Sequence, residues 1–178
     1  DYQNINTTIL NYIQSLQAKD PIGTKHSNVF GWHSDNFDLE DEKIKFFISS
    51  IKSKIKKAID DMCWDSEKSQ TKITNMWAII NKKGASNARH THPNSFLSAV
   101  YYINAPKDCG DIFFYDPRSA KVNRRPPTTK SNKLNAEEVN VTPQDGMLVF
   151  FPSYIHHAVD ENKSDQERVI ISFNVDMR

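Results

Sequence analysis

From about residue 70 onward the sequence is a succession of short β-type runs, and this pattern restricts the fold more than any other feature. The runs are rich in Ile, Val, Phe and Tyr, as in "TKITNMWAII" and "VIISFNV", a composition that favours strands. Eight short strands in succession are typical of a double-sheet jelly roll. We expect them near residues 72–81, 88–92, 96–104, 111–115, 137–141, 146–151, 157–160 and 168–175.

Two helical patterns precede the strands. In the first, apolar residues recur at helical spacing from Ile5 to Leu16, and "DP" then ends the pattern. In the second, over about residues 39–62, isoleucines recur every three or four positions. The segment 22–38 between them contains Gly, Trp and Asn residues and is expected to be a loop.

These elements predict a mainly β protein with a single domain, 1–178. In it, residues 1–66 form a helical support on one face of the jelly-roll core, 67–178. A net charge of +1 gives no reason to expect nucleic-acid or membrane binding. No apolar run approaches the roughly 18 residues of a transmembrane helix. Cys63 and Cys109 do not indicate a disulfide scaffold, so we expect a reducing, cytoplasmic location.

The stretch "NARHTHPNSF" contains two histidines, His90 and His92, separated by one residue. On an extended chain, side chains two residues apart point to the same face. A neutral imidazole is the commonest side-chain ligand of metals. The pair is therefore a candidate metal site, and the alternative is a polar loop that is rich in histidine.

A third ligand would have to come from a distant strand, and "FFPSYIHHAVD" offers His156 and His157. Enough chain separates this stretch from His90 for several strands to return to the same end of the fold. His157 begins the run "HAV" and has the same parity as Val159, whereas His156 has the opposite parity. We therefore expect His157, and not its neighbour, to face the histidine pair.

Arg168 begins the apolar run "RVIISFNV", and its next same-face residues are Ile170, Ser172 and Asn174. Burying an arginine is costly unless it meets an anion, and its planar guanidinium suits a carboxylate. Near a metal site, this residue suggests a bound dicarboxylate. A structural ion pair with Asp or Glu is the alternative.

Three further features have simpler interpretations. Asp35 completes an H-x-D sequence, but it precedes a helix and not a strand, so we expect a loop or capping residue. The basic loop 116–136 is expected to be solvated, or else a lid or substrate-binding flap. The tryptophans are expected to pack between the helices and a sheet; they are Trp32, Trp64 and Trp77.

Taken together, "HTHPNSFLSAVYYIN", "GDIFFYDPR", "FPSYIHHAV" and "ERVIISFN" resemble the iron(II)- and 2-oxoglutarate-dependent oxygenases. The likeness is greatest to a group from phages and bacteria that shares an H-x-H-P pair, an "SGVYYL"-like strand, "DPR" and "FPS…H.V". The upstream "GWHSDNF" resembles the tryptophan-containing loop of that group. The resemblance spans roughly residues 28–176.

The resemblance implies an Fe(II) site of the facial-triad type, usually written H-x-D/E…H, with positions open for cosubstrate and oxygen. His90 matches the first ligand and His157 the distal ligand, while His92 stands where the family has an acid. The far carboxylate of 2-oxoglutarate would be bound by Arg168, often together with a tyrosine that matches Tyr102. For Tyr102, packing in the core is the alternative. Ser172 matches a hydroxyl that often approaches the cosubstrate.

The implied function is hydroxylation of a C–H bond in a protein side chain, amino acid or small metabolite. It consumes O2 and converts 2-oxoglutarate into succinate and CO2. One alternative is a three-histidine cupin-type metalloenzyme that does not use 2-oxoglutarate. Another is a non-catalytic jelly-roll binding module with a vestigial metal site. The sequence leaves the primary substrate and the oligomeric state open.

Overall fold

A computed structural model describes residues 2–65, 70–118, 126–130, 132 and 135–177. The two helices are α1 (Tyr2–Lys19) and α2 (Glu42–Asp61). The strands, in chain order, are β1 (Asn28–Val29), β2 (Trp32–His33), β3 (Thr71–Asn81), β4 (Ser86–His90), β5 (Leu97–Asn104), β6 (Ile112–Tyr115), β7 (Glu138–Val141), β8 (Leu148–Pro152), β9 (His157–Val159) and β10 (Arg168–Met177).

The strands form two five-stranded sheets in which neighbouring strands are antiparallel. The front sheet has the order β1-β4-β9-β6-β7, and the back sheet has the order β2-β3-β10-β5-β8. The non-consecutive order within each sheet is that of a double-sheet jelly roll, and the two sheets do not close into a barrel. The predicted fold class is therefore confirmed.

Alternation along the back-sheet strands creates two separate apolar layers. On β3, Met76 and Ala78 belong to the core shared with the helices, whereas Ile79 belongs to the layer between the two sheets. On β10, Ile171 and Ile170 divide in the same way. The helices thus cover the outer face of the back sheet, as predicted.

Both helices bury the apolar stripe that the sequence shows. In α2 the buried residues are Ile44, Phe47, Ile51, Ile55 and Ile59. Asp41 is the N-cap of α2, and its side chain accepts a hydrogen bond from the Lys43 backbone N–H at 2.8 Å. Such a cap satisfies one of the free donors at a helix start.

All eight predicted strands are present, with boundaries within a few residues of those expected. The prediction that segment 22–38 is only a loop is wrong, because it contains β1 and β2. Each has two residues, too few to produce a hydrophobic period. β1 pairs with β4 and β2 pairs with β3, so tertiary contacts and not local sequence specify them.

Two other expectations concern the surface. Of the basic loop 116–136, residues 119–125, 131, 133 and 134 lie outside the described residues, so its role as a lid stays a prediction. Within the described part of the loop, Arg118 forms an ion pair with Asp116 at 2.7 Å. Neither described helix has the length and apolar character needed to cross a bilayer.

Candidate metal and cosubstrate site

A cavity of about 620 Å³ lies between the two sheets, and candidate residues from both sheets line it. The front sheet contributes His90 from the end of β4 and His157 from the start of β9. His92 follows β4 directly, and Arg168 comes from the back sheet. The antiparallel pairing of β4 with β9 places His90 opposite His157.

The three histidines converge on one point. Their ligand nitrogens all lie within 4.8 Å of one another, and Nε2 of His90 is 3.3 Å from Nε2 of His92. Two nitrogens that bind one metal at about 2.1 Å and at right angles lie about 3 Å apart. His157 completes the group, because its ring centroid is 4.2 Å from that of His90.

Each of the three rings has its other nitrogen engaged with an oxygen that can only accept. Nδ1 of His90 donates to the Ala88 carbonyl at 2.7 Å, and Nδ1 of His157 donates to the Ile155 carbonyl at 3.1 Å. Nδ1 of His92 donates to Oδ1 of Asn174 at 2.7 Å. These bonds fix the tautomer and leave an unprotonated lone pair on each Nε2, as is typical of metal-binding histidines. Oγ of Ser27 lies 3.4 Å from Nε2 of His90 and can donate a hydrogen bond to it.

Burial keeps these rings neutral. It lowers the pKa of His92 to about 4 and that of His157 to about 3, and it also lowers the pKa of His90. Because Nδ1 carries the proton in the neutral rings, the unprotonated Nε2 atoms of His90 and His92 lie only 3.3 Å apart. A metal ion would relieve this lone-pair repulsion, so the donor set fits a divalent metal that accepts imidazole ligands.

Arg168 is 2% exposed, and the two arms of its guanidinium have different environments. Nη1 donates to the backbone carbonyls of Cys109, Gly110 and Asp160. Gly110 permits this arrangement, because a Cβ there would collide with the Asp160 carbonyl. Nη2 is buried without a partner among the described residues. An orphaned charged donor in a cavity calls for an anionic acceptor.

Tyr102 and Ser172 lie on neighbouring strands beside Arg168 and line the same cavity. Burial raises the pKa of Tyr102, so its phenol stays protonated and can donate a hydrogen bond. Oγ of Ser172 instead donates to the Ala99 carbonyl at 3.0 Å. In this conformation Ser172 offers only lone pairs, so it would have to rotate to contact a carboxylate.

Two neighbours of the predicted residues lie elsewhere. The His156 side chain is exposed while that of His157 is 3% exposed, which agrees with the strand parity. Asp35 lies in the loop after β2, where it is exposed and lines the cavity. It is not part of the cluster that the three histidines form. It is not a helix cap, since Asp41 caps α2.

Sequence reasoning missed a second aromatic element of the cavity. Trp77 was expected to pack under the helices but lines the cavity, because it alternates with the helix-facing Met76 and Ala78. His33 stacks on Trp77, with centroids 5.8 Å apart and planes 14° apart. Burial lowers the pKa of His33 to about 4. The available signal was the parity of Trp77 with Ile79.

Two antiparallel sheets with three converging imidazoles in the cavity between them are the arrangement of a jelly-roll protein with a candidate metal site. The family model described as "Putative 2OG-Fe(II) oxygenase" matches residues 75–174, more than half of the chain. The chain belongs to this family of iron(II)- and 2-oxoglutarate-dependent oxygenases, and the predicted enzyme class and cofactors are confirmed. Among curated proteins, no sequence matches the chain.

Solved structures with the same fold include two prolyl hydroxylases and an epimerase. The prolyl-4-hydroxylase of Pseudomonas putida is 16% identical, covering 97% of this chain and 86% of its own, with a TM-score of 0.65. The viral collagen prolyl hydroxylase of Paramecium bursaria Chlorella virus-1 is 14% identical over 97% and 90%, with a TM-score of 0.63. The epimerase SnoN from nogalamycin biosynthesis is 14% identical over 97% and 74%, with a TM-score of 0.67.

Proposed function

We propose that the chain hydroxylates a C–H bond of a protein side chain, amino acid or small metabolite. In this proposal His90, His92 and His157 hold the iron, and Arg168 with Tyr102 binds the far carboxylate of 2-oxoglutarate. The observation that carries it is the convergence of three unprotonated Nε2 atoms in the same cavity as an unpartnered buried guanidinium nitrogen.

The chain's own groups contribute positioning and charge. When bound, Fe(II) with 2-oxoglutarate and O2 supplies the oxidation, releasing succinate and CO2. The hydrogen bonds at Nδ1 hold the three rings in place, so little reorganisation accompanies binding. Nη2 of Arg168 is the charged donor for the distal carboxylate, and the protonated Tyr102 phenol supplies a second donor. Ile79 and Ile170 form part of the apolar wall of the cavity, which limits the access of water to the proposed site.

The cavity of about 620 Å³ has room for a side chain or a small molecule. A structural neighbour, the prolyl hydroxylase of Trichoplax adhaerens, was solved with a peptide fragment of hypoxia inducible factor, and SnoN was solved with nogalamycin RO. These neighbours support both a peptide side chain and a small molecule as the class of substrate in this proposal. The free thiols of Cys63 and Cys109 support the proposed reducing, cytoplasmic location.

Anaerobic titration with Fe(II), with and without 2-oxoglutarate, tests the proposal. We expect a weak visible charge-transfer band that requires both additions. A screen of candidate substrates, scored by succinate formed above the uncoupled rate, then identifies the substrate. Absence of the band at saturating metal and 2-oxoglutarate would refute the proposed cosubstrate.

A second candidate is a three-histidine metalloenzyme that binds its substrate directly and does not use 2-oxoglutarate. The lack of a carboxylate among the three clustered residues favours it. In the same titration it would bind Fe(II) with no response to 2-oxoglutarate. A non-catalytic module would show neither the band nor micromolar metal binding.

Arg168 provides the first prediction. Replacing it with Ala should weaken 2-oxoglutarate binding by about ten-fold to a hundred-fold, because a charge-assisted contact is worth roughly 1.5–3 kcal/mol. Arg168→Lys should also weaken binding, since lysine cannot reproduce the fork that contacts the carbonyls and the ligand together. Affinity is measured from the charge-transfer band as 2-oxoglutarate is added.

Iron affinity should survive in both variants, and this serves as the check that the site is still folded. Arg118→Ala is the matched control, because Arg118 is an exposed arginine paired with Asp116 outside the cavity. It should leave both affinities unchanged. An Arg168→Ala protein that binds 2-oxoglutarate as tightly as the parent would remove Arg168 from the proposed site.

A further inference from the structure

A serine from outside the three-histidine cluster reaches one of the nitrogens that are proposed to bind the metal. Ser27 is half-buried, lines the cavity and immediately precedes β1. Its backbone carbonyl accepts a hydrogen bond from the Ala88 N–H at 2.8 Å, which ties Ser27 to β4 near His90. Its Oγ lies 3.4 Å from Nε2 of His90.

The direction of this contact follows from the tautomer of His90. Nδ1 of His90 carries the ring proton, because it donates to the Ala88 carbonyl at 2.7 Å and a carbonyl can only accept. Nε2 can then only accept, so the Ser27 hydroxyl is the donor. The hydroxyl proton therefore points to the side of the ring on which a metal would bind.

Two buried amides hold the hydroxyl in this direction. Nδ2 of Asn81 donates to Oδ1 of Asn87 at 2.9 Å, and Nδ2 of Asn87 donates to Oγ of Ser27 at 3.3 Å. Asn81 is 1% exposed and Asn87 is 4% exposed, so both amides are removed from solvent. Because Oγ accepts from Asn87, its single proton is available for another acceptor, and the chain of hydrogen bonds runs from Asn81 toward the metal site.

Metal binding changes the situation of this proton. A metal at Nε2 of His90 takes the lone pair that accepts the Ser27 proton in this structure. The NH2 group of Asn87 cannot replace it, since an amide nitrogen only donates. A lone pair on a ligand of the metal is then the acceptor closest to hand for a hydroxyl that already faces the metal side of the ring.

We propose that Ser27 is a further residue of the reaction site, whose hydroxyl donates a hydrogen bond to an oxygen ligand of the bound metal, and that Asn87 positions it. This inference rests on the proposed function, in which three histidines hold the metal and leave positions open. The ligand it requires is an oxygen atom with a lone pair, from a carboxylate of 2-oxoglutarate or from water or O2.

Azide binding to the anaerobic Co(II)-loaded protein, without 2-oxoglutarate, tests this hydrogen bond. Azide binds metals through a nitrogen that keeps a lone pair, and the visible absorption of Co(II) follows the binding of both metal and azide. Ser27→Ala should weaken azide binding by about ten-fold or more, because a hydrogen bond to a charged acceptor is lost. Ser27→Thr keeps the hydroxyl and should stay within about three-fold of the parent.

The affinity for Co(II) itself distinguishes this role from a structural one. Ser27→Ala should bind Co(II) at least as tightly as the parent, because the donor that competes for the Nε2 lone pair is gone. Ser86→Ala is the matched control: Ser86 is a half-buried serine of β4, opposite Val29 of β1, that does not line the cavity. It should leave the affinities for both Co(II) and azide unchanged.

Asn87→Asp tests the positioning role. A carboxylate only accepts, so it should take the Ser27 proton and turn it away from the metal. It also adds a negative charge, which by itself weakens azide binding. In the Ser27→Ala background only the charge acts, so Asn87→Asp should weaken azide binding by about ten-fold less there than in the parent.

The Fe(II) protein with 2-oxoglutarate identifies the source of the oxygen atom. If Ser27→Ala weakens 2-oxoglutarate binding along with azide binding, the hydroxyl donates to a carboxylate of the cosubstrate. If it weakens azide binding alone, the hydroxyl faces the position that water or O2 fills.

The outcomes separate this inference from the proposed function. If the parent does not bind Co(II), the proposed metal site fails before azide is added, and the role of Ser27 fails with it. If Co(II) binds but Fe(II) and 2-oxoglutarate give no charge-transfer band, the proposed cosubstrate fails and the azide comparison still decides the role of Ser27. That role is wrong if Ser27→Ala binds azide as tightly as the parent, or if its Co(II) affinity falls as far as its azide affinity.

Discussion

His157→Ala should abolish Fe(II) binding at micromolar metal. The ring is 3% exposed, and its centroid lies 4.2 Å from that of His90 and 5.0 Å from that of His92. Loss of second-layer partners alone costs about ten-fold to a hundred-fold in metal affinity, so loss of a ligand should cost more than that. Anaerobic equilibrium dialysis with Fe(II) measures the affinity directly.

The adjacent histidine provides the matched control. His156 is exposed, and its backbone carbonyl accepts a hydrogen bond from the Tyr115 N–H at 2.9 Å, which does not require the imidazole. His156→Ala should therefore retain most of the Fe(II) affinity. The reverse result would mean that β9 is out of register by one residue, which would exchange its two faces.

The sequence was sufficient to predict the positions of the longer strands, because alternation and composition are local signals. Along β3, the positions of Met76 and Ala78 differ in surroundings from those of Trp77 and Ile79, as the pleat requires. The same rule predicted that His157, and not His156, faces the cavity. Alternation could not decide which face of a strand packs against the helices, and this is why Trp77 was assigned to the wrong layer.

Long-range contacts could not be predicted from the sequence. The carbonyls around Arg168 come from Cys109, Gly110 and Asp160, and nothing in their local sequence identifies them as partners of a guanidinium. β1 and β2 are likewise specified only by the longer strands beside them. Such features depend on the packing of distant segments, and periodicity within one segment does not contain that information.

His92 departs from the usual acidic position, and its surroundings support a role as a ligand. Oδ1 of Asn174 accepts one hydrogen bond from Nδ1 of His92 at 2.7 Å and another from Oγ of Ser98 at 2.8 Å. The His92 backbone N–H donates to the Ser153 carbonyl at 3.0 Å. Turning the ring away would break the Nδ1 bond and cost buried polar groups a partner, so the ring is held with Nε2 toward His90.

Two substitutions of His92 test this role. His92→Ala should lose Fe(II) affinity by about as much as His90→Ala, at least about a hundred-fold, since each removes one of three ligands. His92→Asp should retain Fe(II) and lower the preference for copper, because a carboxylate is a harder ligand than imidazole. The added negative charge should also weaken binding of the 2-oxoglutarate dianion relative to the parent.

His33→Ala is the matched control for His92→Ala, because His33 is another buried histidine of the same cavity that lies outside the three-histidine cluster. It should bind Fe(II) as the parent does. Competition between Fe(II), Cu(II) and Zn(II) for each protein provides the measurement. If His92→Ala also binds Fe(II) like the parent, the site has two histidine ligands, and His92 belongs to the wall of the substrate cavity.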